Sequence, residues 1–271
     1  MSGRLVVCPT PIGNLEDITL RVLSALREAD VVACEDTRRT RVLLDRYGVK
    51  ARLVSYHEHN ERARAAELAE KMRAGGVVAL VSDAGMPLVS DPGYLLVRAC
   101  VAAGLPVEVL PGPSAAITAL VASGLPADEW HFHGFLPRKK GELREVLSGG
   151  EGTLVAFESP RRLPATLALL SELDPERDAA VCRELTKAHE EIVRGNAAEL
   201  AARYADGPPK GEIVLVIAPP AAPSSDSPDP KALAALQQLV EAGAHPRKAA
   251  TVVASLTGTS ANALYRALTS E

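Results

Sequence analysis

Aromatic side chains make up only 3% of this 271-residue chain, so a packed core has to come from Ala, Val and Leu. No apolar run approaches the roughly 18 residues that a membrane-spanning helix needs. The N-terminal run RLVVC is also too short for a secretory signal. Cys8, Cys34, Cys100 and Cys182 lie far apart, with no C-x-x-C pair among them. This argues against a thiolate metal site or a disulfide framework, and for reduced core thiols in the cytoplasm. The Walker loop and the G-x-G-x-x-G fingerprint are both missing. Residues 110–120 carry Ala116 where a serine nucleophile elbow needs its second glycine. The stretch His57-Glu58-His59-Asn60 lacks the H-E-x-x-H spacing of a zinc helix, so no metal is expected. Charge of one sign is not in large excess either, at a formal net −4. That speaks against non-specific coating of nucleic acid and leaves room for local basic surfaces. Such clusters occur at Arg38, Arg39 and Arg41, at Arg138, Lys139 and Lys140, at Arg161-Arg162, and at Arg247-Lys248.

The chain does have the profile of a globular domain, 47% hydrophobic and 24% charged. Short apolar runs predict strands over 4–8, 31–34, 53–56, 77–81 and 107–110. Between them lie predicted helices: one capped by Asp17 or Thr19 and running through 27, and one running through 46. Another begins at Asn60 and stops at Gly75-Gly76, a fourth covers 94–103, and a fifth is capped by Ser114. Strand–helix alternation with right-handed crossovers gives a mostly parallel sheet with helices on both faces. The second half predicts strands over 131–136, 153–157, 179–185 and 212–218, with helices over 140–148, 161–173 and 197–204. This makes a second α/β domain. Residues 219–230 read as a Pro/Ser-rich linker. Beyond it, helices over 231–242, 246–256 and 260–269 form a small module of helix-turn-helix character. The expected domains are therefore 1–118, 119–218 and 231–271.

In open parallel sheets, ligands bind beyond the carboxyl ends of the strands. The loops at 9–14, 35–38, 82–93 and 111–114 all follow strands and should line one cleft. The segment VSDAGMPLVSDPG (81–93) is rich in Gly, Pro and Asp. Glycine lets a backbone approach a ligand closely, and Asp83 can accept hydrogen bonds from an amine or hydroxyl. The turn LPGPS (110–114) opens a helix whose first N–H groups favour a carboxylate or other anion.

Several motifs occur in a fixed order: V-x-P-T-P-I-G-N-L (7–15), A-x-E-D-T-R (33–38), V-S-D-A-G-x-P (81–87), D-P-G (91–93), L-P-G-P-x-A-A-I-T-A-L (110–120), G-F-L-P (134–137), E-S-x-x-R-L (158–163), R-E-L-T-K (183–187) and K-G-E (210–212). Together they resemble the tetrapyrrole methylase superfamily, and within it the methyltransferases of small-subunit ribosomal RNA. The resemblance covers roughly residues 4–218 and, more loosely, the C-terminal helices. Met86 departs from it, since the family commonly has Thr there.

The resemblance implies two α/β domains with a cofactor cleft between them, S-adenosylmethionine as methyl donor, and a homodimer. It also implies 2′-O-methylation of a cytidine in 16S rRNA near the decoding region. By the same resemblance the donor contacts Pro11; Asp83, Ala84, Gly85 and Pro87; Gly112, Pro113, Ser114, Ala115 and Ala116; Phe157, Glu158 and Ser159; Glu184 and Leu185; and Lys210 and Gly211. A ribose hydroxyl is a poor acid, so a general base is expected. Asp36 or Glu35, ending a strand on the cleft side, is favoured, with Asp83 a third choice. Arg38, Arg39, Arg161 and Lys187 are the expected RNA-phosphate contacts. Two competing functions stay open on sequence: methylation of a small tetrapyrrole such as a precorrin, and non-enzymatic nucleic-acid binding through the C-terminal helices.

Overall fold

The computed structural model describes residues 3–220 and 229–269. Residues 221–228 of the predicted linker thus lie outside the described residues. The chain divides into two compact units, residues 1–219 and 220–271.

The first unit holds two sheets. The first is all parallel, with β1 (Arg4–Val7), β2 (Val31–Cys34), β3 (Leu53–Ser55), β4 (Val77–Leu80) and β5 (Val107–Val109) in the order β3-β2-β4-β1-β5. Its central strands are short runs, apolar throughout except for Arg4 at the start of β1, as a parallel sheet covered on both faces requires. Alternate residues feed two core layers. Leu5, Val7, Val31 and Ala33 pack with α3 (Glu61–Arg73) and α4 (Tyr94–Ala102) through Leu68, Met72, Leu96 and Cys100. Val6, Cys8, Val32 and Cys34 pack on the other side with α1 (Leu20–Glu28) and α2 (Thr37–Arg46) through Val22, Leu26 and Leu44.

Thr19, not Asp17, caps α1, accepting from the Val22 N–H. Asn60 precedes α3 but does not cap it. Its side chain turns back, accepting from the His57 N–H and donating to the Ser55 carbonyl, and so fixes the end of β3.

After β5 the chain crosses to the second sheet through α5 (Ala115–Ser123). Ser114 stands at the head of α5 without a side-chain cap bond. The expected break at 118 falls inside this helix, whose Ala116, Ala119 and Leu120 pack against Val155, Ala180, Cys182 and Val214 of the second sheet. That sheet contains β6 (Trp130–Phe135), β7 (Thr153–Glu158), β8 (Asp178–Arg183), β9 (Glu191–Asn196) and β10 (Ile213–Ile217), ordered β6-β7-β10-β8-β9. Only β6 and β7 run parallel. The helices α6 (Lys140–Ser148), α7 (Leu163–Leu173) and α8 (Ala197–Arg203) cover its far face through Leu143, Leu147, Leu163, Leu167 and Leu200.

β9 is absent from the sequence prediction. It is a half-buried edge strand of sequence EIVRGN with little apolar signal, and its pairing to β8 defines it. Arg177, only 5% exposed, holds this unit's end together. It donates from Nε to the Ala218 carbonyl and from Nη1 to the Leu147 carbonyl, each at 2.7 Å. Arg177→Met strands two carbonyls, so urea denaturation should read a loss of about 2–4 kcal/mol.

The second unit is a three-helix cluster of α9 (Pro230–Glu241), α10 (Pro246–Thr257) and α11 (Ala261–Thr269) around Leu236, Ala250, Val253 and Leu264. Gly258, in the left-handed region at φ 70°, ends α10. No helix among the described residues is long and apolar enough to cross a membrane.

Candidate active site

The loops at the carboxyl ends of the first sheet face the ends of β7, β8 and β10 of the second sheet. Between them lies a cavity of about 490 Å³, within the size range of small-molecule sites. Its walls are rigid. Thr10 and Gly85 exchange both backbone hydrogen bonds at 2.9 Å, and the Thr10 hydroxyl donates to the Ser82 carbonyl. Gly85 sits at φ 79°, where a side chain would be strained. Leu88 (φ 73°) and Ser90 (φ 64°) adopt the same left-handed region without being glycine, strain of a kind that clusters at functional sites. A Cβ on Gly112 would stand 2.4 Å from Pro9 Cγ, so glycine alone lets the 9–14 and 111–114 loops pack together.

One end of the cavity is acidic. Glu35, Asp83 and Asp91 line it together with Arg39. Asp83 accepts from the Asp36 N–H at 3.0 Å and pairs with Arg39 at 3.4 Å. Burial pushes the Asp91 carboxyl up to about 6, helped by the charge of Glu35 and opposed by the Ser82 hydroxyl. The Glu35 carboxyl is also raised, first by burial and then by Asp83, with Arg39 acting against the shift.

Asp36 behaves differently from the expectation. It is the N-cap of α2, accepting from the Arg38 N–H, Nε and Nη2 at 2.8, 3.1 and 2.8 Å. These bonds, those from the Arg38 side chain foremost, hold its carboxyl down at about 2. It does not line the cavity. A carboxylate so engaged is a poor proton acceptor, and in this structure Asp36 serves as a helix cap paired with Arg38.

The other end is apolar, formed by Ile12, Ala116, Phe157, Leu185 and Val214. The structure brings together Asp83, Ala84, Gly85, Ser114, Ala115, Ala116, Phe157, Glu158, Ser159, Leu185 and Gly211 from the expected donor set. Pro11, Pro87, Gly112, Pro113, Glu184 and Lys210 lie outside the lining. Glu184 braces the wall instead. It sits at φ 51° and accepts from Lys187 Nζ and the Glu212 N–H. A Cβ on Gly211 would strike the Glu184 side chain at 2.5 Å.

Of the expected RNA contacts, Lys187 is bound to Glu184 and Glu212, Arg38 to Asp36 and Arg39 to Asp83. Arg161 is exposed and unpaired among the described residues. Sequence reading missed Asp91 and Phe135, both lining residues. Each belongs to a noted motif, D-P-G and G-F-L-P, and that motif was the available signal.

Known proteins share this arrangement. The family model for Tetrapyrrole (Corrin/Porphyrin) Methylases matches residues 4–201. A protein of Mesorhizobium japonicum called "Ribosomal RNA small subunit methyltransferase I" is 48% identical over 97% of this chain and 90% of its own length. Its Escherichia coli O157:H7 counterpart is 44% identical over 97% of this chain and 94% of its own. A Thermotoga maritima relative of the same name is 45% identical over 217 residues, 79% of this chain and 98% of that relative. Its length therefore matches the first unit alone. Among solved structures, a uroporphyrin-III-C-methyltransferase of Thermus thermophilus superposes with a TM-score of 0.55 at 26% identity, covering 80% of this chain and 94% of that one. A second structure of that kind, complexed with S-adenyl homocysteine, gives 0.56 at 23% identity, covering 80% and 97%.

Proposed function

The chain belongs to the tetrapyrrole methylase family, among the ribosomal RNA small subunit methyltransferase I proteins, and from that premise we propose that it methylates the ribose 2′-hydroxyl of a cytidine in the decoding region of 16S rRNA. Family membership makes it an S-adenosylmethionine-dependent rRNA methyltransferase. The cytidine and its 2′-oxygen are our finer reading. The finer reading follows the family resemblance; what supports methyl transfer to a hydroxyl is the cavity, with carboxylates and apolar side chains both in its lining, built where two sheets meet.

The residues present fit the donor. Ile12, Phe157, Leu185 and Val214 offer an apolar wall for a purine. The first N–H groups of α5, beside Ser114, Ala115 and Ala116, suit a carboxylate. Asp83 and the Gly85 backbone suit an amine or hydroxyl. Bound there, S-adenosylmethionine supplies an electrophilic methyl group. The protein has to align the incoming oxygen with it, and such positioning contributes several kcal/mol, about 7–11 at best. It also has to take the hydroxyl proton. Glu35 and Asp91 are the lining carboxylates without an ion pair, because Asp83 is held by Arg39 and the Asp36 amide, Glu158 by Arg162 and Thr166, and Glu212 by Lys187. Asp91, held near neutrality by burial and by Glu35, is matched to that task.

The assignment to the cytoplasm rests on four free, buried cysteines. The homodimer follows the family resemblance, and Val101 (67%), Val109 (58%) and Val121 (74%) of the first unit are exposed apolar residues that a second copy would cover. Sedimentation equilibrium should give about twice the 28.5 kDa chain mass. A monomer at micromolar concentration would remove the second copy.

Isotope-labelled methyl transfer to 30S subunits from a strain lacking this gene tests the reading directly. Label on one cytidine ribose of 16S rRNA is expected. Label on a base, or on a corrinoid in place of RNA, contradicts it.

A further inference from the structure

The chain has three phenylalanines, and all three meet on one face of the second sheet. Phe132 and Phe135 each stand edge-to-face against Phe157, with ring centroids 5.0 and 5.4 Å apart. Phe132 and Phe157 are partly buried against α5 and its neighbours. Phe135 differs: it lines the cavity and is still 65% exposed.

A β-bulge puts it there. Residues three apart on a regular strand point to opposite faces. In β6 the pairing with β7 slips at His133, so that Phe132 faces Val155 and Phe135 faces Phe157. The extra residue turns both rings to the same side, as bulges beside active sites do. Gly134, at φ 76°, makes the step. The segment beyond is then anchored. The Leu136 N–H donates to the Phe157 carbonyl. Arg162 Nη2 donates to the Leu136 and Pro137 carbonyls at 3.0 and 2.6 Å, and to buried Glu158 at 3.2 Å. The exposed ring therefore sits on a stiff mount.

Two cations lie next in sequence to the residues of this anchor. Arg138 follows this segment, and Arg161 adjoins the Arg162 that ties it down. Both are exposed, and neither has an ion pair among the described residues.

We propose that Phe135 is a stacking platform for the base of the target nucleotide, with Arg138 and Arg161 receiving its flanking phosphates. The inference rests on the rRNA reading above. A nucleotide presented to a cavity has to leave its stack, and an aromatic face restores part of that loss for any base. Charge complementarity selects the polyanion over the donor. S-adenosylmethionine carries no phosphate and a positive sulfonium, so two unpaired guanidiniums on the segments that follow Phe135 and Phe157 do nothing for it. The donor's purine already has the apolar wall deeper in.

The test uses the full chain and 30S subunits from the strain lacking this gene. Phe135→Ala should raise KM for subunits about tenfold, with S-adenosylhomocysteine affinity by calorimetry within twofold of wild type. Phe135→Trp should restore KM. The double variant Arg138→Ala, Arg161→Ala should also raise KM, and should flatten the dependence of log affinity on log salt by about one and a half to two units. Weaker S-adenosylhomocysteine binding in Phe135→Ala with an unchanged subunit KM assigns the ring to the donor and overturns the proposal. An unchanged KM with unchanged donor affinity overturns it equally. If the wild-type enzyme labels no RNA, the rRNA reading falls and takes this inference with it. If the wild type labels RNA and Phe135→Ala matches it, only the inference falls.

Discussion

Asp91→Asn should lower kcat for methyl transfer by about 10²-fold or more, the range a positioned general base commands, and leave donor affinity within a few-fold. The substitution keeps shape and removes the proton acceptor. The groups facing Asp91 are Glu35, Asp83 and the Ser82 hydroxyl, with Arg39 answering Asp83. Because the carboxyl titrates near 6, wild-type kcat should rise with pH through that value and level off above it. Asp91→Asn should lose that limb. A variant with full kcat and the same profile would pass the role to Glu35.

The same residue makes a stability prediction of definite sign. Its folded pKa lies above the ordinary carboxylate value near 3.9. The protonated form is the one the fold favours, so stability is full below about pH 4 and is lost as pH rises through about 6. Asp91→Asn removes that loss. It should melt above wild type at pH 7.5 and match it at pH 3.5. An enzyme both slower and more stable is what an active-site carboxylate held against its preference produces.

Asp83→Ala should weaken donor binding about tenfold or more by calorimetry, the magnitude expected when a buried charged acceptor is lost. Asp83 also receives the Asp36 N–H and Arg39, so its removal loosens the head of α2 as well. Asp83→Asn retains an oxygen for the amide and should fall between Ala and wild type. Unchanged affinity in both variants would remove Asp83 from the site.

Much of this could be read before the structure, for physical reasons. Buried parallel strands such as VVAC and VVAL are continuous apolar runs, and the helices between them are stopped by glycine. The first sheet was therefore legible. β9 was not, because an edge strand half open to solvent needs no apolar pattern. The 82–93 and 111–114 loops stood out because glycine and proline after a strand end mark a backbone held for a purpose. Asp36 both ends a strand and precedes a helix, and residue order alone does not rank a base against a cap paired with Arg38. Aspartate immediately before a helix is an N-cap first, and the structure has it so. Asp91 and Phe135 depend on backbone events invisible to periodicity: the left-handed turns at Leu88 and Ser90, and the bulge at His133.

The central claim is that one crevice holds the sulfonium donor between the two sheets. Crystals grown with S-adenosylhomocysteine measure this most directly. The product should lie between residues 82–87 and 114–116, its purine against Ile12 and Leu185. A crevice left empty at saturating product, or density bound elsewhere, would contradict the account.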